Sequence, residues 1–175
     1  MPGARLAVVE SAAAGSGARQ WGQKMEIAFI ALQIFMLAFL LLHDWIPLGP
    51  LNDVAGVRSQ NTRGQLALGT AINGAAIAIT LGLSIRYYGA PYPIPVKVTL
   101  VAILGLMFIG ELRAWWIPYL FGTSPERVAR YSAMFGKTHS FLPERHGIRP
   151  NTAHVALHIA TLMSLVLAVW LSIVK

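Results

Sequence analysis

TAHVALHIATLMSLVLAVWLSI, residues 152–173, carries no Asp, Glu, Lys or Arg from end to end. A helix rises 1.5 Å per residue, so the run is long enough for the ~30 Å hydrocarbon core of a bilayer. As a spanning helix it sets its two polar anomalies, His154 and His158, one turn apart on a single face near its start. Asn151, directly after Pro150, is suited to cap that start.

Three earlier runs fit the same reading. The first covers about 26–45 and is stopped by Pro47 and Gly49-Pro50. The second covers 64–85. Its small residues, among them Gly69, Gly74, Ala76 and Gly82, let helix backbones approach closely and predict a central place for this helix. The third, 96–120, is interrupted by Glu111 and Arg113, and Pro118 is expected to fray its end. Tyr87, Tyr88 and Tyr92 lie between the second and third, as an interfacial aromatic belt would.

The predicted fold class is therefore an all-α integral membrane protein, with four transmembrane helices in an up-down bundle. One domain covers 25–175. A flexible tail rich in Ala, Gly and Ser, over 1–24, precedes it. That tail does not read as a cleaved signal peptide, because the apolar run after it is too long and ends in His43-Asp44-Trp45. Between the third and fourth spans, Ser124-Pro125-Glu126 is a helix start. Val128, Tyr131, Met134 and Phe135 then recur at helical spacing opposite Arg127 and Arg130. This predicts a short amphipathic helix, lying either on the membrane surface or over the mouth of the bundle.

Composition agrees. Of 175 residues, 55% are hydrophobic and 12% charged, and mean hydropathy is +0.58, too apolar for a soluble domain of this length. There are no cysteines, which excludes disulfides, iron–sulfur clusters and thiolate zinc sites. The net charge of +7 reads as basic loops beside anionic lipid; no nucleic-acid motif accompanies it.

In an up-down path, the end of each odd span meets the start of the next even one. That rule brings together His43 and Asp44, Asn61 and Asn73, Glu111 and Arg113, and His154 and His158. His139 and His146 fall in the loop on the same side, so all five histidines share one face. Eight of the 14 Lys and Arg residues lie there too, which leans that face toward the cytoplasm of a plasma or inner membrane. Glu111 falls roughly 13 Å below the end of its span, and Asn73 is about as deep.

An acid at such depth costs on the order of 3 kcal/mol unless it is paired, protonated or in a wet cavity. Glu111, His158, Asn73 and Arg113 are accordingly the candidate catalytic residues. His43, Asp44, Trp115 and His146 are the candidate substrate or gate residues. His154, His158 and Glu111 form a candidate set of ligands for non-haem iron, manganese or zinc. The loop 141–150 is unusually specified and reads as a lid or a packed connector.

Three functions compete on this pattern. The leading one is a small membrane enzyme acting on a lipophilic molecule, by metal-dependent redox chemistry (an oxidoreductase) or by metal-free proton transfer (an isomerase). The second is a haem-binding bundle with two axial histidines, for instance His43 and His154. The third is a non-catalytic subunit or small transporter, in which Glu111 handles a proton or cation and the loop docks a partner. Under any of the three, the expected partners besides lipid are a further copy of the chain, as a homo-oligomer, or a partner membrane subunit.

Overall fold

The computed structural model describes the backbone of residues 3–175 and the side chains of residues 20–175. The flexible tail expected over 1–24 falls mostly on residues whose side chains lie outside that range. The chain folds as α1 (Gly3–Leu42), α2 (Val54–Gln60), α3 (Arg63–Arg86), α4 (Ile94–Glu111), a π-helical turn (Leu112–Trp116), α5 (Ile117–Phe121), α6 (Pro125–Phe135) and α7 (Thr152–Val174). Among the described residues there is no strand, only an isolated bridge between Arg145 and Ile148. Four stretches are long and apolar enough to cross a membrane: Gln20–Leu42, Arg63–Arg86, Ile94–Phe121 and Thr152–Val174.

Local chemistry explains most boundaries. Thr62 and Gln65 form a reciprocal capping box at the start of α3, and Asn151 caps α7 by accepting from the His154 amide. Asp53 caps α2, a helix that the sequence reading left as loop. Gly56 hid it, since glycine weakens a helix pattern. The structure supplies the reason for that glycine: a Cβ there would sit 2.6 Å from the Ala133 carbonyl oxygen of α6.

Helix α7 is the most buried of the four long helices and packs on α1 and α4, while α3 packs mainly on α1 and touches α4 less. The expectation that α3 is central is thus corrected. Of its glycines, Gly74 meets a neighbour, Leu41, whereas Gly69 and Gly82 face open space. The main core is formed by Phe29, Met36, Ile77, Leu100, Leu104 and Leu171, all fully buried. A second, smaller core joins α2 to α6 through Val57, Leu66 and Met134, with Trp45, Tyr131 and Phe135 against it. The apolar face of α6 is therefore committed to protein over the mouth of the bundle.

Pro118 does not fray its helix. The chain passes through it as one rod from Ile94 to Phe121, because the π turn just before it absorbs the mismatch. Proline has no N–H, so the carbonyls of Arg113 and Ala114 lose the donor they would have had in either π or α register. Helix α6 replaces it. Arg127 donates to both carbonyls, at 3.1 and 3.0 Å, and the Tyr131 hydroxyl donates to Ala114 as well. A defect in one helix thereby becomes the docking point of another.

The connector 141–150 is fastened rather than loose. Its flank is held by the His139 amide on the Pro50 carbonyl and by Ser140 on the Pro150 carbonyl. Within it, His146 and Gly147 both take positive φ, +51° and +73°, between the bridged Arg145 and Ile148, as a two-residue hairpin turn requires. A Cβ on Gly147 would meet Val128 of α6 at 2.5 Å, so the turn lies hard against that helix.

Candidate functional site

A cavity of about 590 Å³ lies among α1, α3, α4 and α7. Its apolar lining comes from Leu66, Ile72, Ile103, Leu106, Met107 and Leu157, and its polar lining includes His43, Asp44, Asn73, Glu111, His154 and His158, with Trp115 beside them. The structure thus brings together seven of the residues singled out from sequence. Arg113 and His146 are not among the lining residues. Arg113 contributes its backbone carbonyl to the docking of α6, and the His146 ring packs near Gly122.

Glu111 sits on the last turn of α4, where the π turn begins. One oxygen, Oε1, accepts from the Thr161 hydroxyl at 2.7 Å; the other is buried without a partner. Among the described residues no cation pairs with it, so it is not half of an ion pair that sets helix register. Thr161 has one proton and two acceptors in reach, Glu111 and the Leu157 carbonyl at 3.0 Å. An ionised Glu111 competes with that carbonyl for the proton. A protonated Glu111 donates to the hydroxyl instead and frees it to bond Leu157. The carboxyl is therefore coupled to the backbone of α7 in whichever state it adopts.

The two histidines of α7 are fixed as opposite tautomers. The indole N–H of Trp116 donates to Nδ1 of His158 at 3.1 Å. An indole N–H only donates, so Nδ1 accepts and the His158 proton sits on Nε2. At His154, Nδ1 faces Asn151 Oδ1 at 2.7 Å, and the same oxygen accepts the His154 backbone amide. That amide identifies the Asn151 atom as oxygen, so His154 carries its proton on Nδ1 and keeps a lone pair on Nε2. Aromatic neighbours hold the His154 ring: Trp115 at 4.6 Å, Phe135 at 5.2 Å and Phe39 at 5.9 Å between centroids.

His43 spans the gap to the outer end of the cavity. Its Nδ1 donates to the Phe39 carbonyl at 2.9 Å, and its Nε2 lies 3.2 Å from Asp44. Burial pushes the Asp44 carboxyl up from the usual carboxylate range, and His43 pulls it part of the way back. The rings of His43 and His154 meet edge to face at 5.5 Å, which continues the polar line from His154 to Asp44.

Trp116, Thr161 and Asn151 were not assigned a place in the site by sequence reading. Thr161 had a signal, since 154, 158 and 161 follow one helix face. Trp116 had none: only the extra residue of the π turn lets both Trp115 and Trp116 approach the α7 histidines.

This arrangement does not support a metal centre. Among the described residues, no three His, Cys, Asp or Glu side chains converge as ligands must. Of the set His154, His158 and Glu111, His158 has Nδ1 taken by Trp116 and Nε2 protonated. The His43 and His154 pair does not suit haem either. His43 commits both ring nitrogens, and the two rings touch where a porphyrin would have to lie between them. Comparison of the chain with protein-family models, curated proteins and solved structures gives no match.

Proposed function

We propose that this chain is a small membrane enzyme that moves a proton on a lipophilic molecule. Its four long apolar helices cross a cell membrane in up-down order, and the cavity opens toward the cytoplasmic leaflet. The observation that carries this reading is the single cavity that joins an aliphatic wall to an unpaired carboxyl and two imidazoles of opposite tautomer. An intramembrane acid without a counter-ion is costly, and function is the ordinary reason to keep one.

The residues divide the work as follows. The free nitrogen of His154 takes the hydroxyl proton of an enol, and Glu111 returns a proton at the conjugated carbon while the Nε2–H of His158 holds the oxygen as it becomes a carbonyl. Asn73 orients the polar end, and the His43–Asp44 pair links the cavity to water. Atoms balance as an isomerisation, with no oxidant required.

An untargeted assay tests the chemistry. Wild type, Glu111→Gln and empty nanodiscs are incubated with a total lipid extract of the expressing cells in heavy water, then profiled by mass spectrometry. One lipid class gains deuterium or shifts in retention with the wild type only. Identical profiles in all three samples overturn the enzymatic reading.

The arrangement has its own test, made simple by the absence of cysteine. Single cysteines at Ser59 and Ser140 are expected to react with an impermeant thiol reagent from one side only, and a cysteine at Ala90 from the other. Labelling of Ser59→Cys and Ser140→Cys from opposite sides breaks the up-down model.

A further inference from the structure

We infer that the molecule held by this cavity is a lipophile with an uncharged, hydroxyl-bearing polar end, reaching the site sideways between α3 and α4. This rests on the reading of the cavity as the functional site and specifies what it binds.

Charge excludes most alternatives. No Lys or Arg lines the cavity, and its two acids are Glu111, which has no counter-ion, and Asp44, which is paired with His43. A fatty carboxylate, a lipid phosphate or a sulfate would bring its charge into a weakly polarisable setting where no Lys or Arg offsets it. A quaternary ammonium would find one carboxyl. It would also face the Nε2–H of His158, a donor aimed at a cation, and the lining offers one Trp where a cage needs several aromatics.

Hydrogen-bond polarity then selects among neutral groups. Trp116 leaves His158 with a donor, and Asn151 leaves His154 with an acceptor, on one helix face with centroids 6.3 Å apart. An alcohol, phenol or enol satisfies both at once: its oxygen accepts from His158 while its proton goes to His154. A ketone or ether uses only the donor. A site built this way discriminates strongly against analogues that lack the hydroxyl, because its own polar groups are then left unpaired.

Access follows from the wall. Ile72 of α3 and Leu106 of α4 line the cavity and are also among the exposed large apolar residues, at 61% and 70%. Helices α3 and α4 pack together less than α1 with α3, α1 with α7 or α4 with α7, and Gly69 and Gly110 leave open space on either side. The volume falls within the ~300–1,000 Å³ typical of small-molecule sites.

The test uses four dodecyl probes that carry the same diazirine and alkyne but end in hydroxyl, carboxylate, phosphate or trimethylammonium. Each is photolysed with the full-length protein in nanodiscs, and labelled peptides are mapped. Gly110→Phe serves as the blocking variant, since a Cβ at Gly110 meets no atom within 4 Å and a ring can occupy the cavity. The hydroxyl probe is expected to label the facing segments of α3 and α4 roughly tenfold above the others, and Gly110→Phe to abolish that labelling. Equal or stronger labelling by any charged probe overturns the head-group inference and leaves the site in place. Labelling of these segments by no probe above the Gly110→Phe level overturns both.

A second readout is independent of binding. Imidazole ¹⁵N spectra should show His158 protonated on Nε2 and His154 on Nδ1, and Trp116→Phe should scramble the tautomer of His158 alone. The same tautomer at both rings in the wild type removes the basis for a hydroxyl.

Discussion

Glu111→Gln is expected to fold and melt nearly as the wild type does and to lose its activity. The amide keeps the shape of the carboxyl, and its oxygen still accepts from the Thr161 hydroxyl, the one hydrogen bond that the side chain receives. No ion pair is broken, because none among the described residues includes Glu111. The stability change is then that of one altered hydrogen bond, about 1 kcal/mol, or ~2–4 °C in melting temperature for a chain of this size.

The amide cannot carry a proton. Loss of a positioned general acid or base typically slows turnover by ~10²–10⁴. Melting in detergent, measured beside deuterium incorporation, reads both effects on one preparation. A variant that loses ~3–5 kcal/mol would signal an ion pair broken around a buried charge. A fully active variant would remove Glu111 from the chemistry and leave the two imidazoles to carry it.

The four apolar helices were legible because a long run without charge has one economical structure in lipid: a helix that satisfies its own backbone. The convergence of His43, Asn73, Glu111, His154 and His158 followed from chain direction alone, which periodicity reports well. What stayed hidden was chemistry that depends on a break in periodicity. Pro118 reads as the end of a helix, and nothing in one sequence says that a π turn will carry the helix past it. The same turn decides which tryptophan reaches His158. Sequence reading names Trp115 among the gate residues and gives Trp116 no place in the site, whereas Trp116 fixes the tautomer and Trp115 lines the wall. Arg113, a candidate catalytic residue by sequence, contributes its backbone carbonyl to the docking of α6, because Pro118 freed it. Side-chain type suggests what a residue offers, but backbone defects decide which atom is left to offer it.

Lys175→Met is expected to cause the largest loss of stability of any single exposed-end substitution, about 3 kcal/mol, the lower end of the range for breaking a buried pair. Lys175, at the end of α7, pairs with Glu26 of α1; their side chains are 15% and 4% exposed. The ammonium also donates to the Tyr87 carbonyl at 3.3 Å and lies 4.4 Å from the Tyr92 ring. Burial, and then the nearby Glu26, push the Tyr92 hydroxyl up to about 12, so the ring stays neutral beneath the cation. The Gly89 amide supplies the remaining donor to Glu26. One lysine thus ties α1, α7 and the turn between α3 and α4 at the end of the bundle away from the cavity. Methionine matches its apolar stem but leaves the Glu26 carboxylate buried with two long amide contacts at 3.3 Å. Adding Glu26→Gln should restore most of the loss, since the amide can accept from Gly89 and carries no charge to strand. Denaturation in mixed detergent micelles gives the three free energies. A Lys175→Met variant as stable as the wild type would mean the pair is solvated and holds nothing. A double variant no better than the single would put the loss in packing of the lysine stem rather than in the stranded charge.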